Sequence, residues 1–218
     1  YGMYNRTENY QSDCSYISQI KAFKDNVSIK SCLSYTFSVS NSQGTSLIKD
    51  RPFTAEMTRS IMLLKEKPYR PRMADYRIGV FFTGREQLGE GAKTTVPVYY
   101  ANRWDIQPSD TAAYLRGEKV KPTKQIVFYI DNTFPEKWKP YLREGVTQWN
   151  ELFEQIGFKD VVAAKDFPTD DPEFDPDNIK YSCVRYAPSS IENAMGPSWV
   201  DPRSGEILNA SVYLYHNV

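Results

Sequence analysis

Residues 125–157 read QIVFYIDNTFPEKWKPYLREGVTQWNELFEQIG, and this stretch decides the fold. Gln125 to Asn132 is a nearly unbroken apolar run of strand length. A helix follows with unusually complete punctuation: Asn132 or Thr133 suits the N-cap and Pro135 the first turn. Trp138, Leu142, Val146, Trp149, Leu152 or Phe153, and Ile156 then recur at steps of three and four, and Gly157 supplies the left-handed stop. Each of those large side chains, once buried, contributes on the order of 1.5 to 3 kcal/mol, enough to fix the helix against a sheet.

Downstream, four segments bounded by turn residues read as strands: FKDVVAAKD at 158–166, IKYSCVRYAPS at 179–189, NAMGPSWV at 193–200 and GEILNASVYLY at 205–215. The turn Asp201-Pro202-Arg203-Ser204-Gly205 joins the last two, which makes them antiparallel neighbours. Strand, helix and four strands make an α/β layer.

Upstream the pattern is β. Val27, Ile29, Leu33, Tyr35, Phe37 and Val39 alternate with Ser28, Lys30, Cys32, Ser34, Thr36 and Ser38, a period of two that predicts a half-buried strand. YISQIKAF at 16–23, separated by Lys24-Asp25-Asn26, is its hairpin partner. DYRIGVFFTG at 75–84 and TTVPVYYANRW at 94–104 form a second pair around the glycine-bearing REQLGEGAK. The tyrosines of these strands are candidates for a carbohydrate-binding face, although strand aromatics more often pack. Between the pairs, RPFTAEMTRSIMLLKEKPYRPR at 51–72 reads as a connector whose basic, proline-broken end is solvated. The expected architecture is α+β: an antiparallel β-rich region over residues 1–120, then over 121–218 a mixed sheet backed by one long helix.

The 27 basic and 27 acidic residues cancel, so no bulk charge points to nucleic acid or an anionic membrane. No apolar run reaches the roughly 18 residues of a membrane-spanning helix. The chain begins YGMYNR without an initiator methionine and is expected to be a mature or excised segment. Cys14, Cys32 and Cys183 show no CxxC spacing. Cys14 and Cys32 are candidates for a bridge; three separate thiols packed as small hydrophobes are the alternative.

Few residues offer chemistry. His216 is the only histidine, which excludes a histidine-rich zinc site; a catalytic pairing with Asp201 or Glu206 competes with a structural strand-end imidazole. Asp170, Asp171, Glu173, Asp175 and Asp177 crowd oxygen donors, but their spacing departs from the calcium loop pattern and Pro172 and Pro176 stiffen the segment, so a solvated loop is expected. Cys183 lies in an apolar strand with no adjacent base, a structural position. Dinucleotide, P-loop and α/β-hydrolase motifs do not occur.

Five stretches carry a resemblance: EKPYRPRMADYRIGVF, NRWDIQPSD, VFYIDNTFPEKWKPYLREGVTQWNELFEQIGFKD, the acidic DDP, and NAMGPSWVDPRSGEILNASVYLYHNV. In this order they resemble large exported bacterial zinc-dependent metalloproteases, in which a β-rich domain of unknown function precedes a metzincin-like catalytic domain. The resemblance implies a zincin-like mixed sheet, a backing helix, and then a helix bearing H-E-x-x-H, whose histidines hold zinc and whose glutamate activates water.

Position by position, it makes Gln125 to Asp131 the first strand, Glu136 to Ile156 the backing helix, and Val161 to Ala164 and Tyr181 to Tyr186 the next strands. Gly196, Pro197, Ser198, Trp199 and Val200 match the antiparallel edge strand against which a peptide substrate pairs through its main chain. Ile207 to Tyr215 is its neighbour. H-E-x-x-H is not among these residues, so the resemblance implies that zinc and hydrolysis belong to the parent protein. The chain alone is expected to bind no cofactor and to be inactive, with a peptide or protein substrate and the remainder of its catalytic domain as partners of the parent. Export to the periplasm, cell surface or medium is implied in the same way. The competing expectation is a non-catalytic β-rich module that binds carbohydrate or protein.

Overall fold

The computed structural model describes residues 4–89, 91 and 93–217. Glu90 and Ala92 of the expected inter-strand loop, and Val218 at the expected chain end, lie outside them. The fold is α+β and mostly β. The chain divides into two compact units at Leu63/Leu64.

The first unit is a three-stranded antiparallel meander: β1 (Tyr4–Ala22), β2 (Asn26–Asn41) and β3 (Ser46–Met62). β1 and β2 are the expected hairpin. β3 corrects the reading of 51–72 as a connector throughout, for Phe53, Ala55, Met57 and Ile61 continue a period of two as far as Met62. Pro52 lies inside this edge strand opposite Thr36, and an edge strand tolerates a missing N–H.

Register puts Ile20, Ile29 and Arg59 in one row and Tyr10, Tyr35 and Phe53 in another. The Tyr35 and Phe53 rings stack at 5.2 Å, with Tyr10 and Phe37 against them. One face is therefore mainly apolar, with Arg59 among its apolar residues, and the other carries Ser28, Lys30, Ser34 and Thr36 with Thr54, Glu56 and Thr58. Much of the apolar face is exposed, including Ile17, Ile20, Met57 and Ile61.

The second unit contains a hairpin and the α/β layer. β4 (Phe82–Gln87) pairs antiparallel with β5 (Val96–Ala101), and a short helix α1 (Thr111–Leu115) is capped by Asp110, whose carboxylate accepts from Ala113 N at 2.9 Å. The layer comprises β6 (Ile126–Ile130), α2 (Lys139–Thr147), α3 (Asn150–Gln155), β7 (Val162–Asp166), β8 (Ser182–Ala187), β9 (Ala194–Met195), β10 (Ser198–Val200) and β11 (Ile207–Tyr215). Its order is β10-β11-β8-β6-β7: four parallel strands and one antiparallel edge, with β9 also pairing antiparallel to β11.

The expected single long helix is two. Thr147 turns its hydroxyl back onto the carbonyls of Arg143, at 2.9 Å, and Glu144, at 3.2 Å. Such back-bonding competes with the helical ladder and bends a helix, and α2 ends here, before Trp149 opens α3. Nor is the N-terminus capped as expected: Asp131 takes Thr133 N and Oγ1 in a local turn, and α2 starts only after Trp138.

Ile130, Phe134 and Val184 form one core cluster with Trp138, Leu142 and Val146; Ile126, Phe158, Val161 and Val162 form another with Phe153. Trp149, Leu152 and Ile156, expected inside, are exposed. The break at Gln148 moves them off the stripe that α2 presents.

Candidate functional site

β10 owes its place to the turn that follows it. Asp201 is 1% exposed and receives Arg203 three times: backbone N at 2.8 Å, Nε at 3.0 Å and Nη2 at 2.7 Å. Hydrogen bonding from Arg203 outweighs desolvation and holds the Asp201 carboxyl below its usual range. Gly205, at φ +76°, closes the turn, and its carbonyl accepts from Arg103 N at 3.0 Å. Ile207 N in turn donates to Arg103 O at 2.9 Å, so the segment after β5 clamps the base of the hairpin.

Glu206 is buried beside this clamp, with Lys65 Nζ on its Oε1 at 2.5 Å. Arg203 Nη2 reaches Lys65 O at 2.6 Å. One network thus fixes the turn to a segment far back in sequence.

β11 is pinned on its other side by Asn209, whose Nδ2 donates to the carbonyls of Ile179 and Tyr181, and by Ser182 Oγ, which accepts from Ala210 N. β10 then lies against a rigid strand. Ser211 N donates to Pro197 O at 3.0 Å, and Ser198 faces Ala210 and Trp199 faces Asn209. Antiparallel pairs alternate between bonded and non-bonded, so Ser198 falls in the non-bonded position and its N–H and C=O point away from β11. No described strand pairs with that outer side. Gly196, Pro197 and Ser198 are exposed, while Trp199 and Val200 are half-buried.

The structure brings the five edge residues together as one strip, and it separates the other candidates. Asp201 and Glu206 stand at the start of β11 and His216 beyond its end, roughly 30 Å away at the rise of an extended strand. The catalytic pairing of His216 with either acid is therefore ruled out. His216 stacks on Trp138 with centroids 5.6 Å apart, and its Nδ1 lies 2.5 Å from Tyr186 Oη, so it ties the end of β11 to α2 and β8.

The acidic loop spends carboxylates on itself, with Asp171 Oδ1 accepting from Glu173 N and Asp175 Oδ1 from Asp177 N. Its Phe174 packs on Tyr129, Phe167 and Tyr181. Among the described residues no three His, Cys, Asp or Glu side chains converge to hold a metal ion. Cys14, Cys32 and Cys183 are free thiols, and burial pushes that of Cys183 up to about 12.

Asp201 and Glu206, candidates from the sequence to pair with His216, instead engage Arg203 and Lys65. An Asp-x-Arg turn was a visible signal for the first pair, whereas the second joins residues 141 positions apart.

On the sheet face that carries α2, the helix packs over β6 and β7. Tyr186 of β8 lies against Trp138, and Val212 and Leu214 of β11 pack with it on the Ile130, Phe134 and Val184 cluster; all three remain half-buried.

Residues 2–109 match the model of a domain of unknown function, DUF5117. Neither a curated protein nor a solved structure matches the chain at a significant level.

Proposed function

We propose that this chain supplies the sheet, the backing helix and the substrate-pairing edge of a zinc-dependent metallopeptidase that hydrolyses peptide bonds. The observation that carries the reading is β10: an antiparallel edge strand beside four parallel strands, with Ser198 presenting an unpaired main-chain donor and acceptor. A peptide in extended form adds to such an edge through its own main chain, which gives affinity without demanding particular side chains. The half-buried group of Tyr186, Val212 and Leu214 supports the same reading, because a second helix packed there completes a zincin-like layer.

The residues of this chain do not fit a zinc site. Its single histidine is engaged with Tyr186 and Trp138, and among the described residues no carboxylates join it. In this reading the zinc ligands and the catalytic glutamate come from the rest of a longer, exported protein, and the chain alone hydrolyses nothing. The test is cleavage of an unstructured protein such as casein by the parent protein. Cleavage abolished by a zinc chelator and restored by zinc is expected; chelator-resistant cleavage, or none under any metal, contradicts the proposal.

A second reading rests on the aromatic row Tyr10, Tyr35, Phe53 and Phe37 in the first unit, which suits a sugar ring or an apolar protein surface. It makes the chain a non-catalytic binding module. Binding of oligosaccharides lost in Tyr35→Ala would favour it.

A further inference from the structure

A cavity of about 550 Å³ in the second unit is lined by Tyr69, Arg70, Pro71, Arg72, Arg103 and Gln107. Three of the six are arginines and none is acidic. Segment 66–72 reads from sequence as a solvated connector, yet it forms most of this wall. Among the described residues, no carboxylate lies within ion-pair distance of Arg70, Arg72 or Arg103. Glu206, joined to Arg103 by a backbone bridge, gives Oε1 to Lys65, while its Oε2 is buried and, like Arg103 Nε, has no partner among the described residues. Gln107 donates to Asp105 at 3.0 Å, which leaves that acid partly engaged.

Arg103 is held in place in advance. Its Nη1 donates to Tyr69 Oη at 2.6 Å, its Nη2 to Arg70 O at 2.6 Å, and its guanidinium lies 4.2 Å over the Tyr69 ring. Its Nε is buried and lacks an acceptor among the described residues. Three arginines gathered with no carboxylate at ion-pair distance repel one another, and a bound anion removes that cost.

We infer that this cavity is a binding site for a small ligand bearing more than one oxyanion group, carboxylate or phosphate. Guanidinium forks match both groups bidentately, and the Tyr69 hydroxyl keeps a proton to donate. The cavity lies in the range of roughly 300 to 1,000 Å³ that small-molecule sites occupy, larger than a lone monovalent ion needs. The site is separate from the β10 edge, and its existence does not depend on the peptidase reading.

The test is calorimetric titration of the 218-residue chain with pyrophosphate, with citrate, and with sucrose as a neutral control. Arg70 and Arg72 are exposed and make no side-chain contact that the fold needs, so Arg70→Gln/Arg72→Gln should melt like the parent chain. Saturable one-to-one binding of pyrophosphate or citrate is expected, weakened by added salt and at least about tenfold in the double variant. Preference for pyrophosphate identifies a phosphate ligand, and preference for citrate a carboxylate one. No saturable binding of either anion at low-millimolar concentration, or equal affinity in the double variant, overturns the inference.

Discussion

Ser198 stands opposite Ala210 in the non-bonded register of the β10–β11 pair, with its N–H and C=O turned to the open side of the sheet. This relationship makes edge pairing separable from folding. Proline at 198 removes an outward N–H that β11 does not use, and edge strands tolerate proline in that orientation. Ser198→Pro is therefore expected to melt within about 1 kcal/mol of the parent chain while, under the proposed peptidase function, raising KM for a peptide substrate of the longer protein. Unchanged KM in a folded variant would remove β10 from substrate binding.

The Asp201–Arg203 fork predicts acid sensitivity of a stated sign. The Asp201 carboxyl titrates below its ordinary value of 3.8 in the folded chain, so its contribution is fully present above that value and is lost as pH falls through the lower, folded one. At pH 7, Asp201→Asn should cost about 2 kcal/mol, the scale of a hydrogen bond to a charged group. Urea unfolding across a pH series should show the gap between variant and parent narrowing below about pH 4. A gap that stays constant down to pH 2 would mean that the fork is not what stabilises the turn.

Gly205 is required twice over. Its φ of +76° disfavours any side chain, and a Cβ there would lie 2.5 Å from Ala101 O. Gly205→Ala should destabilise the second unit by about 2 kcal/mol or more, read from denaturant midpoints, because the αL cost alone is roughly 1 to 2 kcal/mol.

Thiol reactivity should follow depth in the fold. Cys14 is exposed, whereas Cys183 is fully buried, its thiol pushed up to about 12 by burial despite the lowering influence of Arg185. Iodoacetamide at pH 8 should label Cys14 in the folded chain and reach Cys183 only with unfolding, as seen by peptide mass spectrometry. Rapid labelling of Cys183 under native conditions would contradict this packing.

The parts of the fold legible in the sequence are those with local causes. Alternation from Val27 to Val39 revealed β2, the Asp201–Gly205 turn revealed the antiparallel β10–β11 hairpin, and the apolar run of 125–132 revealed β6. β3 carries a similar alternation, but Pro52 within it and the basic, proline-broken tail beyond Leu64 are signals of a connector. The helix break was hidden because it depends on which way one threonine hydroxyl turns, and a period of three and four runs through Thr147 unchanged.

At the edge, three residues of β10 carry too little pattern to mark a strand position. Their placement there was implied by resemblance to a protease family, and periodicity had no part in it. The Lys65–Glu206 contact and the cluster of Arg70, Arg72 and Arg103 arise only when distant segments meet. No local rule anticipates them.

Zinc content, measured after dialysis on the 218-residue chain and on a protein that extends it through the residues encoded next, decides whether the sheet belongs to the proposed zinc peptidase. Negligible zinc is expected in the first and about one zinc ion per chain in the second, the stoichiometry of a single catalytic site. Negligible zinc in both would contradict that assignment.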